Sequence, residues 1–256
     1  MAEEIQQKTH VVKRAIIMAA GIGQRMQPLT FKTPKPLVKV KGVRMIDTVV
    51  DALHENGIHE IYVVAGYLKE QFYEWSKGRK GITIIENPYY DADNNISSLY
   101  VAREHLGDCF ILDGDQIIYN PAILDPHFSL SGYNAVWCEG KTSEWLMNAE
   151  DGVVKACFRT GGSHGWQLYS ISRWSEEDCQ KLKRHLEYEF ESGNRQIYWD
   201  DVAMFCHFSD YRLGIYEMQS DDIIEIDDLD ELKRIDNSYH CYKLPEKADE
   251  NGGEPL

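Results

Sequence analysis

The sequence predicts an α/β protein built on an open, mixed but mostly parallel sheet, with helices on both faces and a smaller antiparallel extension. Two observations support this. In the first half of the chain, short and continuous apolar segments alternate with segments whose apolar residues have helical spacing. In the second half, short strand-like segments are separated by turns. Continuous apolar strands are typical of a parallel sheet that is covered on both faces.

The first half is predicted to alternate strands and helices. In order, these are strand 14–20, helix 45–56, strand 59–65, helix 68–77, strand 82–86, helix 95–105 and strand 109–112. The first strand ends at Gly21, and the first helix ends at Gly57, a favourable residue just beyond a helix. Asn94 or Asn95 is a suitable cap for the third helix. This alternation predicts a Rossmann-like sheet.

The second half is predicted to form antiparallel strands at 133–138, 145–149, 153–159 and 166–172. Ser175 then caps a helix that continues to about Glu191, with three acidic residues in its first turn. We predict a flexible leader at 1–13, one domain at 14–246 with halves 14–132 and 133–246, and a flexible tail at 247–256.

Composition and charge exclude several classes of protein. The 256 residues include 27 Lys and Arg against 42 Asp and Glu, a net charge of −15, which disfavours binding to nucleic acid or to anionic membranes. The sequence contains no apolar segment long enough to span a bilayer, and its N-terminus is polar. The six Cys are scattered, without a Cys-x-x-Cys pair. We therefore predict a cytoplasmic protein with reduced, mostly buried thiols and without nucleic-acid or membrane partners.

A glycine loop and a cationic segment follow the first strand. The loop reads Gly21-x-Gly23-x-Arg25, and Thr33-Pro-Lys-Pro-Leu37 comes shortly after it. Met26 stands where a dinucleotide loop has its third glycine, and there is no Gly-Lys-Ser/Thr. Between positions 14 and 46 there is no acid, but there are seven cations: Arg14, Arg25, Lys32, Lys35, Lys39, Lys41 and Arg44. In so acidic a chain, this segment favours a triphosphate site over a solvated basic loop.

The combination of these two motifs resembles the signature of sugar-phosphate nucleotidyltransferases. More narrowly, the chain resembles bacterial CTP:phosphocholine cytidylyltransferases, over positions 14 to 235. The segments that carry the closer resemblance are 64–72, Asn94-Asn95, 98–100, Glu144-Trp145, 198–200, Tyr216 and 225–227. A related type of enzyme uses 2-aminoethylphosphonate, and the shared motifs do not separate the two. The resemblance implies the nucleotidyltransferase fold, with 14–132 as the nucleotide-binding half and 133–246 as the acceptor-binding half.

The resemblance also implies a set of site residues. Arg25 and Lys35 would be catalytic, through contacts with phosphates. The residues that would bind the nucleotide are Ala19, Ala20, Gly21, Gly23, Arg25, Asn95 and Ser98. Asp115, after a buried strand, and Asp227 would hold Mg²⁺, although Mn²⁺ remains open. Nine acids lie between positions 217 and 236, and only the resemblance singles out Asp227.

Two clusters of aromatic and acidic residues are expected to bind the acceptor substrate. The first contains Trp137, Glu139, Glu144 and Trp145, and the second contains Tyr198, Trp199, Asp200 and Asp201. Of these, Glu144, Trp145, Tyr198, Trp199 and Asp200 are the expected acceptor-binding residues. A quaternary ammonium is best held by aromatic faces and a carboxylate, whereas a primary ammonium needs hydrogen-bond acceptors. The clusters favour choline without deciding the question.

The reaction implied is direct in-line attack of phosphocholine on CTP, which gives CDP-choline and pyrophosphate. The alternatives are the same reaction on 2-aminoethylphosphonate, a sugar-1-phosphate nucleotidyltransferase, a nucleotide-sugar glycosyltransferase and a regulatory module that binds nucleotide without turnover. The expected partners are CTP and a small zwitterionic phosphate or phosphonate. The sequence is compatible with a homo-oligomer but does not determine the oligomeric state. The nine His show no spacing typical of a metal site.

Overall fold

The computed structural model describes residues 9–242. Its strands, in chain order, are β1 (His10–Val11), β2 (Arg14–Ala19), β3 (Lys39–Val40), β4 (Val43–Arg44), β5 (Glu60–Ala65), β6 (Ile82–Glu86), β7 (Cys109–Asp113), β8 (Gln116–Ile118), β9 (His127–Phe128), β10 (Gly132–Thr142), β11 (Leu146–Glu150), β12 (Val153–Phe158), β13 (Gly162–Trp174), β14 (Gly214–Glu217) and β15 (Ile223–Glu225). The α-helices are α1 (Met45–Glu55), α2 (Glu70–Ser76), α3 (Ile96–Ala102), α4 (Glu176–Glu191), α5 (Trp199–Asp201) and α6 (Leu229–Ile235).

Within the described part of the chain, one sheet of nine strands organises the fold. The strand order is β10-β14-β12-β11-β13-β7-β2-β5-β6. Strands β7, β2, β5 and β6 run parallel to one another, whereas β13 pairs antiparallel with both β7 and β10. The predicted fold class, a mixed and largely parallel sheet with an antiparallel extension, is confirmed. The antiparallel strands continue the same sheet, so the two halves of the chain share one backbone framework.

Helices cover both faces of the sheet and explain the continuous apolar sequence of β2. Side chains of a strand alternate between faces. Ala15 and Ile17 accordingly pack in the cluster that includes α1, and Ile16 and Met18 pack in the cluster that includes α3 and α4. A third apolar cluster joins the segment after β2 to α6, through residues such as Met26 and Leu229. This third cluster fixes the cationic segment against the late part of the chain.

Most predicted elements are found within a few residues of their predicted bounds. Strands β10 and β13 are longer than predicted because they pair with each other over most of their length. The short strands β8, β14 and β15 are absent from the predicted elements, because a segment of three or four residues is too short to show a periodic pattern of apolar residues. Within the predicted leader, His10–Val11 pairs with His127–Phe128, which attaches that part to the domain. The rest of the leader and the predicted tail at 247–256 lie outside the described residues.

The structure also tests the predicted burial of the cysteines and the prediction that no segment spans a membrane. All six Cys are free thiols, but only Cys109 and Cys179 are buried, so the prediction of mostly buried thiols is wrong. Of the other four, Cys138 and Cys157 are half-buried, and Cys206 and Cys241 are exposed. Among residues 9–242, no helix has the length and apolarity needed to cross a bilayer.

Candidate active site

The glycine loop leaves the carboxyl end of β2 and turns back towards Lys35. Gly23 has a φ of +67°, which strongly favours glycine, and a Cβ there would lie 3.0 Å from the Thr30 side chain and 3.2 Å from Lys35 Cβ. The Thr30 hydroxyl donates a hydrogen bond of 2.8 Å to the Gly23 carbonyl. Gly21 has no such neighbour within 4 Å. The loop is therefore tight on the Lys35 side and open at Gly21, which lines a cavity.

Asp113, Gly114 and Asp115 leave the neighbouring strand at the same edge. The Gly114 amide donates to the Met18 carbonyl over 2.9 Å, and a Cβ at Gly114 would lie 3.1 Å from Ile17 Cγ2. A glycine at this position lets the two strand ends approach closely. Asp115 precedes β8, which pairs with β15 in the register Gln116 to Glu225. This pairing brings the late acidic segment next to Asp115.

Lys35 contacts the two aspartates that the family resemblance assigns to the metal. Its Nζ lies 2.6 Å from Asp115 Oδ2 and 3.2 Å from Asp227 Oδ1, and Arg25 Nη2 lies 2.8 Å from the same Asp227 oxygen. Burial by itself lowers the pKa of Lys35, but the charges of Asp115 and Asp227 and a hydrogen bond to Asp115 outweigh it and raise that pKa. Lys35 is thus a charged ammonium fixed among carboxylates, whereas the Arg25 side chain is 68% exposed.

Four carboxylates, those of Asp113, Asp115, Glu225 and Asp227, lie close together at this edge of the sheet. Burial, with the charges of Asp115 and Asp227, raises the pKa of Glu225 to about 8. Burial, with the charges of Asp115 and Glu225, raises the pKa of Asp113 well above its usual range. Among the described residues, these four do not form a group of three oxygens within 4.8 Å of one another. Mg²⁺ prefers oxygen ligands and is usually bound by one or two carboxylates together with substrate phosphates. Asp115 and Asp227 supply two such carboxylates, so they fit this ion.

A cavity of about 490 Å³ extends from this cluster along the glycine loop. It is lined by all the residues predicted to bind the nucleotide: Ala19, Ala20, Gly21, Gly23, Arg25, Asn95 and Ser98. The structure therefore brings the predicted set together, and Asp115, Asp227 and Lys35 stand at the same cavity. A larger cavity elsewhere, of about 670 Å³, is lined by none of these residues.

Asn95 and Ser98 stand at the start of α3. Asn94 and Asn95 are the predicted caps: the Asn94 side chain accepts from the Asn95 amide over 2.7 Å, and Asn95 is the residue at the cap position. The Asn95 side chain makes no capping hydrogen bond, and its Oδ1 instead accepts from the Trp199 amide over 2.8 Å. The Asn87 side chain donates to the Ser98 hydroxyl over 3.0 Å. Asn95 therefore joins the nucleotide side of the site to α5, which belongs to the acceptor half.

A second cavity, of about 320 Å³, opens on the other side of Lys35 and contains most of the predicted acceptor residues. Glu144, Trp145, Tyr198 and Asp200 line it. Asp200 is buried, and the buried Tyr133 hydroxyl hydrogen-bonds to its carboxylate, but its Oδ1 lacks a partner of good geometry among the described residues. Burial, with the charge of the adjacent aspartate, raises the pKa of Asp200 to about 7.

Two adjacent aspartates on α5 have different roles. Asp201 accepts from the Tyr198 amide over 2.8 Å and from Arg159 Nε over 2.8 Å. Its charge is therefore neutralised and its oxygens are occupied. Asp200 is left as the α5 carboxylate that faces the cavity.

The aromatic residues only partly match the prediction. The Trp145 ring lies edge to face with Tyr198, at 5.9 Å, and both line the second cavity. Trp199, by contrast, is 1% exposed and stacks near Tyr133 in the core, and it lines neither cavity. The predicted contact between Trp199 and the acceptor is therefore wrong, because α5 turns this indole towards the sheet. Trp137 and Glu139 pair with each other on the surface and also lie outside both cavities.

Several residues at the cavities were not predicted. Tyr90, Pro36, Leu168 and Ser170 line one or the other cavity. Ser170 lies on β13 and hydrogen-bonds to Asp113. Pro36 belongs to the Thr33–Leu37 motif, but no motif marks the other three: pairing of β13 places Leu168 and Ser170 at the site, and Tyr90 lies in a turn after β6.

Comparison with known proteins identifies the family to which this site belongs. The sequence model of the MobA-like NTP transferase domain matches residues 15–176 of the chain. The chain belongs to this family. The NTP transferase domain defined in this way contains the glycine loop, the Asp113–Asp115 turn and the start of the acceptor half.

The relatives of this NTP transferase that match most of its length include several cytidylyltransferases. The 2-aminoethylphosphonate cytidylyltransferase of Lancefieldella rimae is 38% identical over 228 residues, 88% of this chain and 92% of that protein. The choline-phosphate cytidylyltransferase of Haemophilus influenzae is 33% identical over 230 residues, 86% of this chain and 95% of that protein. The solved structure of the CTP:phosphocholine cytidylyltransferase of Streptococcus pneumoniae superposes with a TM-score of 0.82 at 29% identity, covering 89% of this chain and 99% of that one. This NTP transferase is an enzyme of the cytidylyltransferase type.

Proposed function

We propose that this enzyme transfers CMP from CTP to 2-aminoethylphosphonate and releases pyrophosphate. The observation that carries the acceptor is Asp200, a buried carboxylate with an unpartnered oxygen in a cavity also lined by Glu144 and Glu225. A primary ammonium donates three hydrogen bonds and so satisfies these oxygens. A quaternary ammonium donates none and would leave Asp200 Oδ1 unpaired, which costs about 1–3 kcal/mol. The relative from Lancefieldella rimae supports the same acceptor.

Phosphocholine is the second candidate, and a specific contact favours it. Trp145 and Tyr198 form a corner that offers aromatic faces to a trimethylammonium group. The Arg159 guanidinium carbon, however, lies 5.8 Å from the centre of the Trp145 ring. Arg159 therefore already lies over the Trp145 ring, which leaves less aromatic surface for a trimethylammonium group, so the carboxylates outweigh the rings in the choice of acceptor.

The residues have distinct parts in the proposed reaction. A phosphonate oxygen attacks the α-phosphorus of CTP, and the bond from that phosphorus to the bridging oxygen breaks, so pyrophosphate leaves with the electron pair. Lys35 and Arg25 would bind the phosphates, and the backbone of Ala20 to Gly23 would lie along the nucleotide. Mg²⁺ held by Asp115 and Asp227 would supply charge neutralisation for the triphosphate. No protein nucleophile is required, because the acceptor is itself an anion.

The direct test is pyrophosphate release from CTP with each acceptor in parallel. We expect kcat/KM for 2-aminoethylphosphonate to exceed that for phosphocholine by at least about tenfold, a difference of about 1.4 kcal/mol. UTP in place of CTP serves as the nucleotide control. A preference for phosphocholine would give the second candidate precedence, and turnover with glucose 1-phosphate alone would overturn both.

Replacing Asp200 by Asn is expected to lower kcat/KM for 2-aminoethylphosphonate by about thirtyfold, or about 2 kcal/mol, with the KM for CTP unchanged. The substitution removes the negative charge of the Asp200 carboxylate that would bind the substrate ammonium, whereas it leaves the nucleotide cavity unchanged. Because the charged form costs free energy to bury, Asp200→Asn should unfold at the same temperature as the parent or higher. Asp91→Asn, at an exposed acid, is the matched control. Equal activity of Asp200→Asn and the parent would exclude this contact.

The same carboxylate predicts a pH dependence. The pKa of Asp200 is raised to about 7, so its charged form is the minor one at pH 6 and the major one at pH 8. Activity that depends on the charged form should therefore rise about tenfold between these pH values, relative to Asp200→Asn. Taking the ratio of parent to variant removes the ionisation of the substrate phosphonate. A ratio that stays constant from pH 6 to pH 8 would contradict the assignment.

A further inference from the structure

A small pocket of about 160 Å³ adjoins the nucleotide cavity at the glycine loop. Gly21 and Ser98 line both spaces. Asn87 and Asp93 line the small pocket but not the nucleotide cavity, whereas Lys35 lines the nucleotide cavity but not the small pocket. A nucleotide whose phosphates lie at Lys35 would therefore extend its base towards the small pocket, and a space of this size suits the single ring of a pyrimidine.

The Asp93 carboxylate lies in the small pocket with unused capacity to accept hydrogen bonds. Its side chain is only 10% exposed, and its Oδ2 has no hydrogen-bond partner within residues 9–242. Arg195 Nη1 lies 3.6 Å from that oxygen, beyond hydrogen-bond distance. Arg195 is itself held in place, because its Nε donates to the Phe190 carbonyl over 3.1 Å and its guanidinium carbon lies 4.1 Å from the centre of the Phe190 ring. A carboxylate enclosed in this way favours a ligand that brings a donor into the pocket.

The Ser98 hydroxyl is oriented by the buried side chain of Asn87. The Asn87 Oδ1 accepts from the Tyr89 amide over 2.9 Å, which identifies the opposite end of the side chain as the NH₂ group. That group donates to Ser97 Oγ and to Ser98 Oγ, each over 3.0 Å. Ser97 donates its own hydrogen to the Asn94 carbonyl over 2.8 Å. Because the Ser98 oxygen accepts in its contact with Asn87, its hydrogen remains available for a ligand.

We propose that Asp93 and Ser98 select cytosine over uracil, with Asn87 as the positioning residue for Ser98. Cytosine carries an amino group at C4 and a lone pair at N3, whereas uracil carries an oxygen at C4 and an N–H at N3. The Asp93 carboxylate accepts from the amino group, and the Ser98 hydroxyl donates to N3. Uracil reverses both donor and acceptor, so it would leave the enclosed carboxylate unpaired and facing O4.

This selection concerns the nucleotide side of the proposed function and does not depend on the acceptor. The experiment is therefore equilibrium binding of CTP and of UTP to the full chain, with Mg²⁺ and without an acceptor, read by calorimetry. We expect the parent to bind CTP about a hundredfold more tightly than UTP. A preference for phosphocholine over the phosphonate in turnover would leave this expectation unchanged.

Asp93→Asn is the main variant, because it keeps the size of the side chain and adds a donor that suits O4 of uracil. The ratio of the two Kd values should fall by about tenfold or more. Asp91→Asn, at an exposed acid two positions earlier, should keep the parental ratio. A parent that binds CTP and UTP equally would overturn the proposal, and so would an Asp93→Asn protein with the parental ratio.

Two further variants test the positioning of Ser98. Ser98→Ala removes the donor, so CTP binding should weaken by about tenfold while UTP binding changes little. Asn87→Asp replaces the NH₂ group by an acceptor, which draws the Ser98 hydrogen away from the base and should lower the ratio to the same extent. A merely structural defect would weaken the binding of both nucleotides equally. Parental ratios in both variants would exclude Ser98 and Asn87 from base selection.

Discussion

Lys35→Ala is expected to reduce kcat for pyrophosphate release by about 10²- to 10³-fold, while the protein remains folded. Lys35 is the ammonium at which both cavities meet, and it contacts Asp115 and Asp227 directly. Its removal takes away the charge that would oppose the triphosphate and leaves the two carboxylates facing each other. Steady-state pyrophosphate release with saturating CTP measures the effect.

Two further variants separate charge from packing at this position. Lys35→Met retains most of the buried stem without the charge, so its turnover should be as low as that of Lys35→Ala. Its unfolding temperature should also fall, because Asp115 and Asp227 lose their partner. Lys32→Met removes an exposed cation from the same segment and should retain nearly full activity. Turnover by Lys35→Met within about tenfold of the parent would remove Lys35 from the mechanism, since a charge contact of this kind is worth more.

Asp227→Asn is expected to lower kcat about a hundredfold and to raise the Mg²⁺ concentration needed for half-maximal activity about tenfold. The Asp227 carboxylate meets both Arg25 and Lys35, so the substitution removes a ligand oxygen and also frees two cations. The cations should then bind triphosphate at least as well, so the KM for CTP should not rise when Mg²⁺ is saturating. A Mg²⁺ titration of activity separates these effects.

The control for Asp227 comes from the same acid-rich segment. Asp230 lies on α6, is 59% exposed and pairs with Lys233. Asp230→Asn should therefore leave both kcat and the Mg²⁺ requirement unchanged, because exposed ion pairs contribute little. An Asp227→Asn enzyme with the parental Mg²⁺ requirement would show that Asp115 and the substrate phosphates hold the ion without Asp227.

The elements that the sequence predicts well are those in which buried residues recur in a regular pattern along the chain. Strand β2 is buried on both faces and is therefore apolar throughout, and α4 has its cap at Ser175 and ends at Glu191 as predicted. The loop from Gly21 to Arg25 is also readable, because a backbone at φ +67° requires glycine and an anion site requires cations. These features depend on local backbone geometry and local charge, so they can be predicted from the sequence of the segment itself.

Tertiary structure decided which side chains meet. Trp199 reads as an acceptor contact beside Asp200, but helical geometry points neighbouring residues in different directions, and the indole enters the core. His185 and His207 are 22 positions apart without metal spacing, yet a helix and a π-helical turn stack their rings. Asp115 and Asp227 meet at Lys35 because β8 pairs with β15. Composition, the fold class and the phosphate-binding segment follow from the sequence, whereas contacts between distant segments depend on packing that has no local period.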